Sequence, residues 1–371
     1  MKNSAKVKNM RIIFASHHCC TRTVKEGLAL VGQGHEVIFL QWVIGNKSFE
    51  PLLPGSKFYQ DLDHYEKIMK HIQADVIHCH NFPDDLVTIA KKNTSIPVIY
   101  DAHDLNSVYR TDKPELLDAE EAAVEACDGM VVPSNGYKNY IQSRYAFTKP
   151  IEVIPPMCNR WMLNFVKEKI KLAPINGIVF EGGVAEMTAS GNIVHDWASF
   201  RDYRPLVRSL NDLGIPMHLY IADPRYKLLY LSCGAEVTSR LLFNEMLHRL
   251  TRYDWGFCGT PTPNQQWDWA MPNKLFEYIC AGIPVIVMNA AECAEFVQAL
   301  EIGIVVKDAS EIKERYDEHQ ALKPNVLKIR ETLLMENQIT EVESLYQRVL
   351  EKTKNGSYYS NADGGLRIRR A

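Results

Sequence analysis

The 371 residues are 46% hydrophobic and 23% charged, which excludes a disordered polymer, a collagen-like chain and a coiled coil, and suits about two globular domains. The 42 basic and 45 acidic residues leave a net charge of −3, which excludes a strongly basic nucleic-acid-binding domain. From the N-terminus, strand and helix patterns alternate. Arg11–Ser16 is a short apolar run of the kind that forms a buried parallel strand. Thr23–Val31 carries apolar residues at helical spacing, and Gly32 and Gly34 stop it. His35–Gln41 reads as the next strand. Helices follow over Asp61–Gln73, Asp84–Lys92, Pro114–Ala126 and Tyr137–Tyr145. They interleave with strands over Asp75–His80, Pro97–Asp101, Gly129–Pro133 and Glu152–Ile154. Such alternation predicts a doubly wound parallel sheet.

Pro155-Pro156 is the strongest punctuation, and beyond it the alternation starts afresh. Asn159–Lys171 reads as a helix. Its Trp161, Met162, Phe165 and Val166 beside three lysines suit a packed linking helix or contact with an anionic membrane. Strands are predicted over Gly177–Phe180, Met217–Ile221, Trp255–Cys258, Pro284–Met288 and Gly303–Val306. Helices are predicted over Asp202–Leu213, Asn244–Arg252, Lys274–Ala281, Ala291–Leu300, Ala309–Gln320, Val326–Met335 and Gln338–Lys354. The polar tail 355–371, with Arg367, Arg369 and Arg370, reads as mobile. The predicted units are a first domain over 1–158, a second over 159–337, a closing helix over 338–354 and the tail. The nine cysteines are odd in number and scattered apart from Cys19-Cys20, which argues against a disulfide framework and for a reducing cytoplasm. Met1–Met10 lacks the apolar stretch of a signal peptide, and no apolar run approaches the ~20 residues of a membrane span.

Met271–Met288 (MPNKLFEYICAGIPVIVM) carries readable chemistry. Pro272 and Asn273 open a helix, where unpaired backbone N–H groups and the helix dipole favour an anion. Lys274 adds a full positive charge suited to a diphosphate. Glu277, three residues on, offers a carboxylate that can accept two hydrogen bonds from a ribose diol. Gly282 stops the helix and Pro284 starts the next strand. The plainer alternative is a surface Lys–Glu pair before an ordinary turn. In Ala74–His80 and Val98–Leu105 (ADVIHCH and VIYDAHDL), His103 stands at the carboxyl end of a strand, where open α/β sheets bind ligands. Asp101 and Asp104 flank it and are expected to fix its tautomer or raise its pKa.

Together these stretches resemble retaining GT-B glycosyltransferases, in particular glycosyltransferase family 4 (glycosyl transferases group 1). The second matches the donor-binding signature P-x-K-[LF]-x-E-Y-x-x-x-G-x-P-V-I. The resemblance implies an α/β fold of the GT-B type: two facing Rossmann-like doubly wound parallel-sheet domains with an inter-domain cleft, and a last helix that crosses back to the first domain. It implies transfer of a sugar from a nucleoside-diphosphate sugar, a UDP-sugar first of all, with no cofactor and no metal. The hydroxyl acceptor is a glycan, a lipid-linked sugar, a small molecule or a modified nucleobase. The first domain would hold the acceptor, and His103 would contact the donor sugar. Gly182, Gly183, Asn273, Lys274 and Glu277 would hold the nucleotide. In a retaining front-face reaction the donor phosphate oxygen takes the acceptor proton.

Three departures from the family pattern stand out. Residues 184–200 contain no Lys or Arg, so Arg201, followed by Arg204 and Arg208, is the first candidate for the diphosphate. The family's E-x7-E motif has Trp269 where its first Glu stands, which leaves Asp268, Trp267 or Trp269 for the sugar. The loop after the first strand is Ser16-His17-His18-Cys19-Cys20-Thr21-Arg22 rather than glycine-rich. Its imidazoles and thiols, with His78, Cys79 and His80, are donor types for zinc, but neighbours on extended chain point apart. These histidines are instead expected to line the acceptor cleft or to pack structurally, with His17, His18 or Asp101 as a base if the enzyme inverts or epimerises a sugar nucleotide. A non-catalytic binding or scaffold protein is the other alternative.

Overall fold

The computed structural model describes residues 9–42, 53, 55–169, 171–221, 223–239 and 241–354. The tail at 355–371, with its three arginines, and most of Met1–Met10 lie outside the described residues. The first seven strands are β1 (Arg11–Ser16), β2 (Glu36–Trp42), β3 (Lys57–Tyr59), β4 (Val76–His80), β5 (Val98–Asp101), β6 (Gly129–Val132) and β7 (Ile151–Val153). They form one sheet in the order β3-β2-β1-β4-β5-β6-β7, every pair parallel. The second sheet comprises β8 (Ile175–Gly182), β9 (Met217–Ile221), β10 (Glu236–Ser239), β11 (Tyr253–Gly259), β12 (Val285–Met288) and β13 (Gly303–Val305). Its order is β10-β9-β8-β11-β12-β13, again all parallel. Helices cover both faces of each sheet, so central strands such as VIHCH and VIVM are apolar or buried at every position.

The strands with continuous apolar runs lie where the pattern predicts them. The two edge strands β3 and β10 do not announce themselves, because KFY and EVTS are short and half polar. The predicted helix over Val326–Met335 is instead His319–Ile329, with Pro324 inside it. The Arg160–Glu168 helix buries Met162, Leu163 and Val166 in the core of the second domain, with Trp161 and Phe165 packed beside them. Most of that apolar face is therefore packed against protein. No described helix is long and apolar enough to cross a membrane.

The last helix, Met335–Lys354, leaves the second domain and packs on the first sheet. Ile339, Val342, Leu345, Tyr346 and Val349 are all fully buried with Met10, Ile12 and Phe14. His35 Nε2 pairs with Glu343 at 2.7 Å, and His78 Nδ1 with the Tyr346 hydroxyl at 2.6 Å. The first domain thus takes part of its core from the end of the chain.

Candidate active site

In an open parallel sheet the strand order reverses at one place, and the loops there diverge to leave a crevice. In the first sheet this place lies between β1 and β4, and in the second between β8 and β11. The loop 17–20 and the start of the Thr21–Gly32 helix stand over the first crevice, beside His80 and Asp101. The Gly182-Gly183 turn stands over the second. Between the domains a cavity of about 180 Å³ is lined by Arg22, His103 and Asp104 from one side and by Arg201, Gln266, Trp267 and Asn273 from the other. Ligand pockets commonly measure ~300–1,000 Å³, so this cavity is a narrow part of the cleft.

On the second-domain wall, Gly182 ends β8 with φ +133°, and a Cβ there would lie 2.8 Å from Lys274 Nζ. Glycine therefore both permits the backbone turn and leaves room for the ammonium. Lys274 Nζ lies 3.8 Å from the centre of the Phe180 ring. Burial, with Arg201 near by, pulls its pKa down to about 8 against the opposing pull of Glu181. Arg201 Nη1 is the side-chain atom nearest Gly183, and its Nε is buried without a hydrogen-bond partner. The predicted Gly182, Gly183, Arg201, Asn273 and Lys274 thus converge. Arg204 does not join them, because its guanidinium is spent on Asp202 and the Gly191 carbonyl, and Arg208 is exposed on the outer face of its helix.

Glu277 lies in the same helix but faces elsewhere. Its Oε1 accepts from Lys25 Nζ at 3.1 Å, and Lys25 also donates to Asn273 Oδ1 and to the Pro156 carbonyl, both at 3.0 Å. Burial pushes the Glu277 carboxyl up, but Lys25 outweighs it and holds the group below the usual carboxylate range. The neighbouring Glu181 goes the other way, raised by burial and by Glu277, and so carries the proton of that pair. The Lys274–Glu277 surface pair does not form: one group faces the glycine turn and the other faces Lys25 of the first domain.

On the first-domain wall, Asp101 is fully buried at the centre of a charge cluster. Arg22 Nε donates to both its oxygens at 2.9 and 3.1 Å, while Arg22 Nη1 reaches the Ile154 carbonyl at 2.7 Å and Nη2 pairs with Glu26 at 2.9 Å. His103 Nδ1 lies 3.0 Å from Asp101 Oδ1. Burial alone pushes the Asp101 carboxyl up, but Arg22 and then the imidazoles hold it well below the usual range. Burial, with the charge on Asp101, keeps Glu26 protonated in spite of Arg22. His103 is raised well above an ordinary histidine, since its bonds to Asp101 and to the Cys20 thiol overcome burial. His78 and His80 stack at 4.6 Å near Asp101, and burial holds both neutral, His78 at about 4.

Of the two flanking acids, then, Asp101 fixes His103 and Asp104 does not. Asp104 Oδ1 accepts from Gln266 Nε2 of the other domain at 3.1 Å. The predicted loop histidines are also separated. His17 and His18 do not point apart, for their Nδ1 atoms lie 3.2 Å from each other, and His17 packs edge-on against Trp42. Neither enters the cluster of Glu26, His78, His80 and Asp101, whose donor atoms lie within 4.8 Å of one another and whose cation is Arg22. Trp267 lines the cavity, as does Gln266. Trp269 instead fills the space over Gly136 and packs on Tyr140 of the first domain. Asp268 lies outside the cavity lining, by the backbone of Ala291. The residues that motif reasoning missed are Arg22, Lys25 and Glu26. Their signal was an i, i+3, i+4 set of charges in the first turns of a helix that has no polar face there.

Lys274 carries a pH dependence. Its charged form prevails only below about pH 8, and an anionic ligand binds that form. Diphosphate affinity should therefore be flat below pH 7 and fall up to tenfold per unit above pH 8. Calorimetric titration with UDP between pH 6 and 9.5 checks this; unchanged affinity across pH 8 would remove Lys274 from the site.

Two family models match the chain. Residues 23–160 match Glycosyltransferase Family 4, and residues 242–342 match Glucosyltransferase 3-like, C-terminal domain. No curated protein matches the sequence. Among solved structures, a glycosyltransferase from Rickettsia africae superposes with a TM-score of 0.59 at 13% identity, over 92% of this chain and 99% of that one. Anabaena HepE in complex with UDP gives 0.63 at 14% identity, over 90% and 100%. An alpha-glucosyltransferase in complex with UDP-glucose and DNA containing an abasic site gives 0.53 at 14% identity, over 94% and 95%. These likenesses span both sheets and the cleft, and a glycosyltransferase model covers part of each domain. The chain is accordingly a GT-B glycosyltransferase that resembles glycosyltransferase family 4.

Proposed function

We propose that this enzyme transfers a sugar from a UDP-sugar to a hydroxyl acceptor with retention of anomeric configuration. The observation that carries this reading is the meeting of Lys274 and Arg201 around the Gly182-Gly183 turn. Two cations beside a close-approach backbone suit a diphosphate, and the Asn273 helix start adds free N–H groups. The choice of uridine draws on the UDP held by HepE and the UDP-glucose held by the alpha-glucosyltransferase.

Retention is favoured by the state of His103. Its bonds to Asp101 and Cys20 keep it protonated, so it donates a hydrogen bond and does not take a proton. The other acid of this wall at the cavity, Asp104, is engaged by Gln266 Nε2 of the second domain. In the proposed step the acceptor oxygen bonds to the anomeric carbon on the face that the diphosphate leaves. The bond from that carbon to the diphosphate oxygen breaks, and the acceptor proton passes to a diphosphate oxygen. Lys274 and Arg201 stabilise the charge that develops there. Glu277 holds Lys25 of the first domain through Oε1, so a ribose bound at this carboxylate would sit beside a contact between domains. The cysteines are all unpaired, which suits a reducing compartment such as the cytoplasm.

The test is titration with UDP, GDP, ADP and CMP, followed by incubation with the matching sugar nucleotide. The anomeric configuration of the released or transferred sugar is then read by proton NMR. UDP is expected to bind with the highest affinity, and the sugar to keep its configuration. Absence of binding by every nucleoside diphosphate would overturn the reading, and an inverted product would overturn the mechanism.

A further inference from the structure

We propose that Lys25, from the first domain, is a positioning residue for nucleotide selection: it directs the Glu277 carboxylate to the ribose, so that ribonucleotides are preferred to deoxyribonucleotides. The proposal rests on the donor reading above and gives the first domain a part in it. Lys25 lies one turn into the Thr21–Gly32 helix and is fully buried. An ammonium has three hydrogens to donate, and all three are used. They reach the Pro156 carbonyl at 3.0 Å, Asn273 Oδ1 at 3.0 Å and Glu277 Oε1 at 3.1 Å. The backbone carbonyl of Lys25 in turn accepts from Asn159 Nδ2 at 2.9 Å. The residue is thus fixed at both ends.

Two of the three acceptors belong to the Asn273–Ala281 helix, which begins at the cavity wall. Pro156 and Asn273, both partners of Lys25, line that cavity. Lys274, between Asn273 and Glu277 in sequence, lies at the Gly182 turn instead. One helix therefore presents a cation for the diphosphate and, three residues on, a carboxylate that the other domain holds in place. The Cys158 thiol donates to the Phe276 carbonyl at 3.5 Å, so the chain just after Pro156 is also tied to this helix. The lysine, the linker and the donor helix form one packed block.

Cohesion between domains does not by itself call for a lysine here. Replacing a buried ion pair by apolar groups of like size is often neutral for stability. What the ammonium adds is direction and charge. Burial pushes the Glu277 carboxyl up, and Lys25 outweighs it and keeps the group ionised. Glu181 beside it is raised by burial and by Glu277. The two acids thus share one negative charge, and Lys25 keeps that charge on Glu277. A carboxylate has about four acceptor sites, and Lys25 takes one. The remaining capacity suits a ribose diol, and a charged acceptor binds a hydroxyl roughly twice as strongly as a neutral one. Without Lys25 the charge is free to settle on Glu181, or Glu277 turns to Lys274. Either way the ribose loses its acceptor.

The experiment is calorimetric titration of the full-length protein with UDP, 2′-deoxy-UDP and inorganic pyrophosphate. It is run on the wild type and on Lys25→Met, with melting curves to verify folding. Lys25→Gln, which keeps one donor group, takes the place of Lys25→Met should that variant not fold. The wild type is expected to prefer UDP to 2′-deoxy-UDP by about tenfold, the worth of one hydrogen bond to a charged group. In the variant that preference should shrink to about twofold, as for a neutral acceptor. Pyrophosphate meets Lys274 and Arg201 but brings no ribose, so its affinity should stay the same. Equal binding of UDP and 2′-deoxy-UDP by the wild type would overturn the proposal, as would a preference that survives in the variant. An equal loss of all three ligands would also overturn it, since Lys25 would then only hold the domains together. No binding of any of the three by the wild type would bring down the donor reading as well; the other outcomes leave that reading standing.

Discussion

Arg22→Ala should lower the melting temperature by on the order of 10 °C. Removing one partner of a buried ion pair costs about 3–5 kcal/mol, because the other charge stays buried and unpaired. For a domain of this size 1 kcal/mol is roughly 2–4 °C. Arg22 is 2% exposed and serves Asp101, Glu26 and the Ile154 carbonyl at once. Its loss leaves Asp101 among two neutral imidazoles and one charged one. Arg22→Lys should recover little, since an ammonium cannot span the three acceptors that the planar fork reaches. The double variant Arg22→Ala with Asp101→Asn should be more stable than the sum of its parts predicts, because the orphaned carboxylate is gone. Additive melting temperatures would show that Arg22 acts through packing and not through Asp101.

Lys274→Ala should weaken UDP binding by about 100-fold, which corresponds to ~2.7 kcal/mol. Gly182→Ala should do so by a comparable factor through a different cause. The new methyl group meets Lys274 Nζ at 2.8 Å, and the φ of +133° strains any residue but glycine. Stability separates the two variants. Lys274 is a buried cation whose charge is disfavoured in the fold, so Lys274→Met should melt at or above the wild-type temperature while failing to bind. Gly182→Ala should melt lower. Tight UDP binding by Lys274→Met would dissociate the glycine turn from the donor. Both variants are read by isothermal titration and by differential scanning fluorimetry.

Much of the donor wall was legible in the sequence because it lies in local features. A glycine pair after an apolar strand and a Pro-Asn-Lys helix start each declare an anion site within a few residues. Their convergence follows from the parallel topology, which puts strand carboxyl ends and helix amino ends on one side. The first-domain wall was less legible. Asp101 and His103 are two residues apart, yet the partner that sets their charges, Arg22, is 79 residues from Asp101. Lys25 lies 252 residues from Glu277, and no local pattern carries such a pairing. Glu277 has the motif's residue type and position, but its orientation is fixed by that distant lysine. Trp269 is the opposite case. It breaks the family pattern, and the break is a packing contact between domains, which sequence spacing cannot distinguish from a lost sugar ligand.

The return of the last helix to the first sheet has a consequence for biosynthesis. The strands of the first domain emerge from the ribosome first, yet Ile12, Phe14 and their neighbours have only the partial cover of Val24, Ala29 and Leu30 until Ile339–Val349 is made. The domain translated first is therefore finished last. Almost the whole second domain must be synthesised while an apolar face of the first stays partly open. Domains are usually completed in the order in which they emerge; here the two mature together. A ribosome halted before Met335 would leave a nascent chain dependent on chaperones, however much of the donor site it had already built.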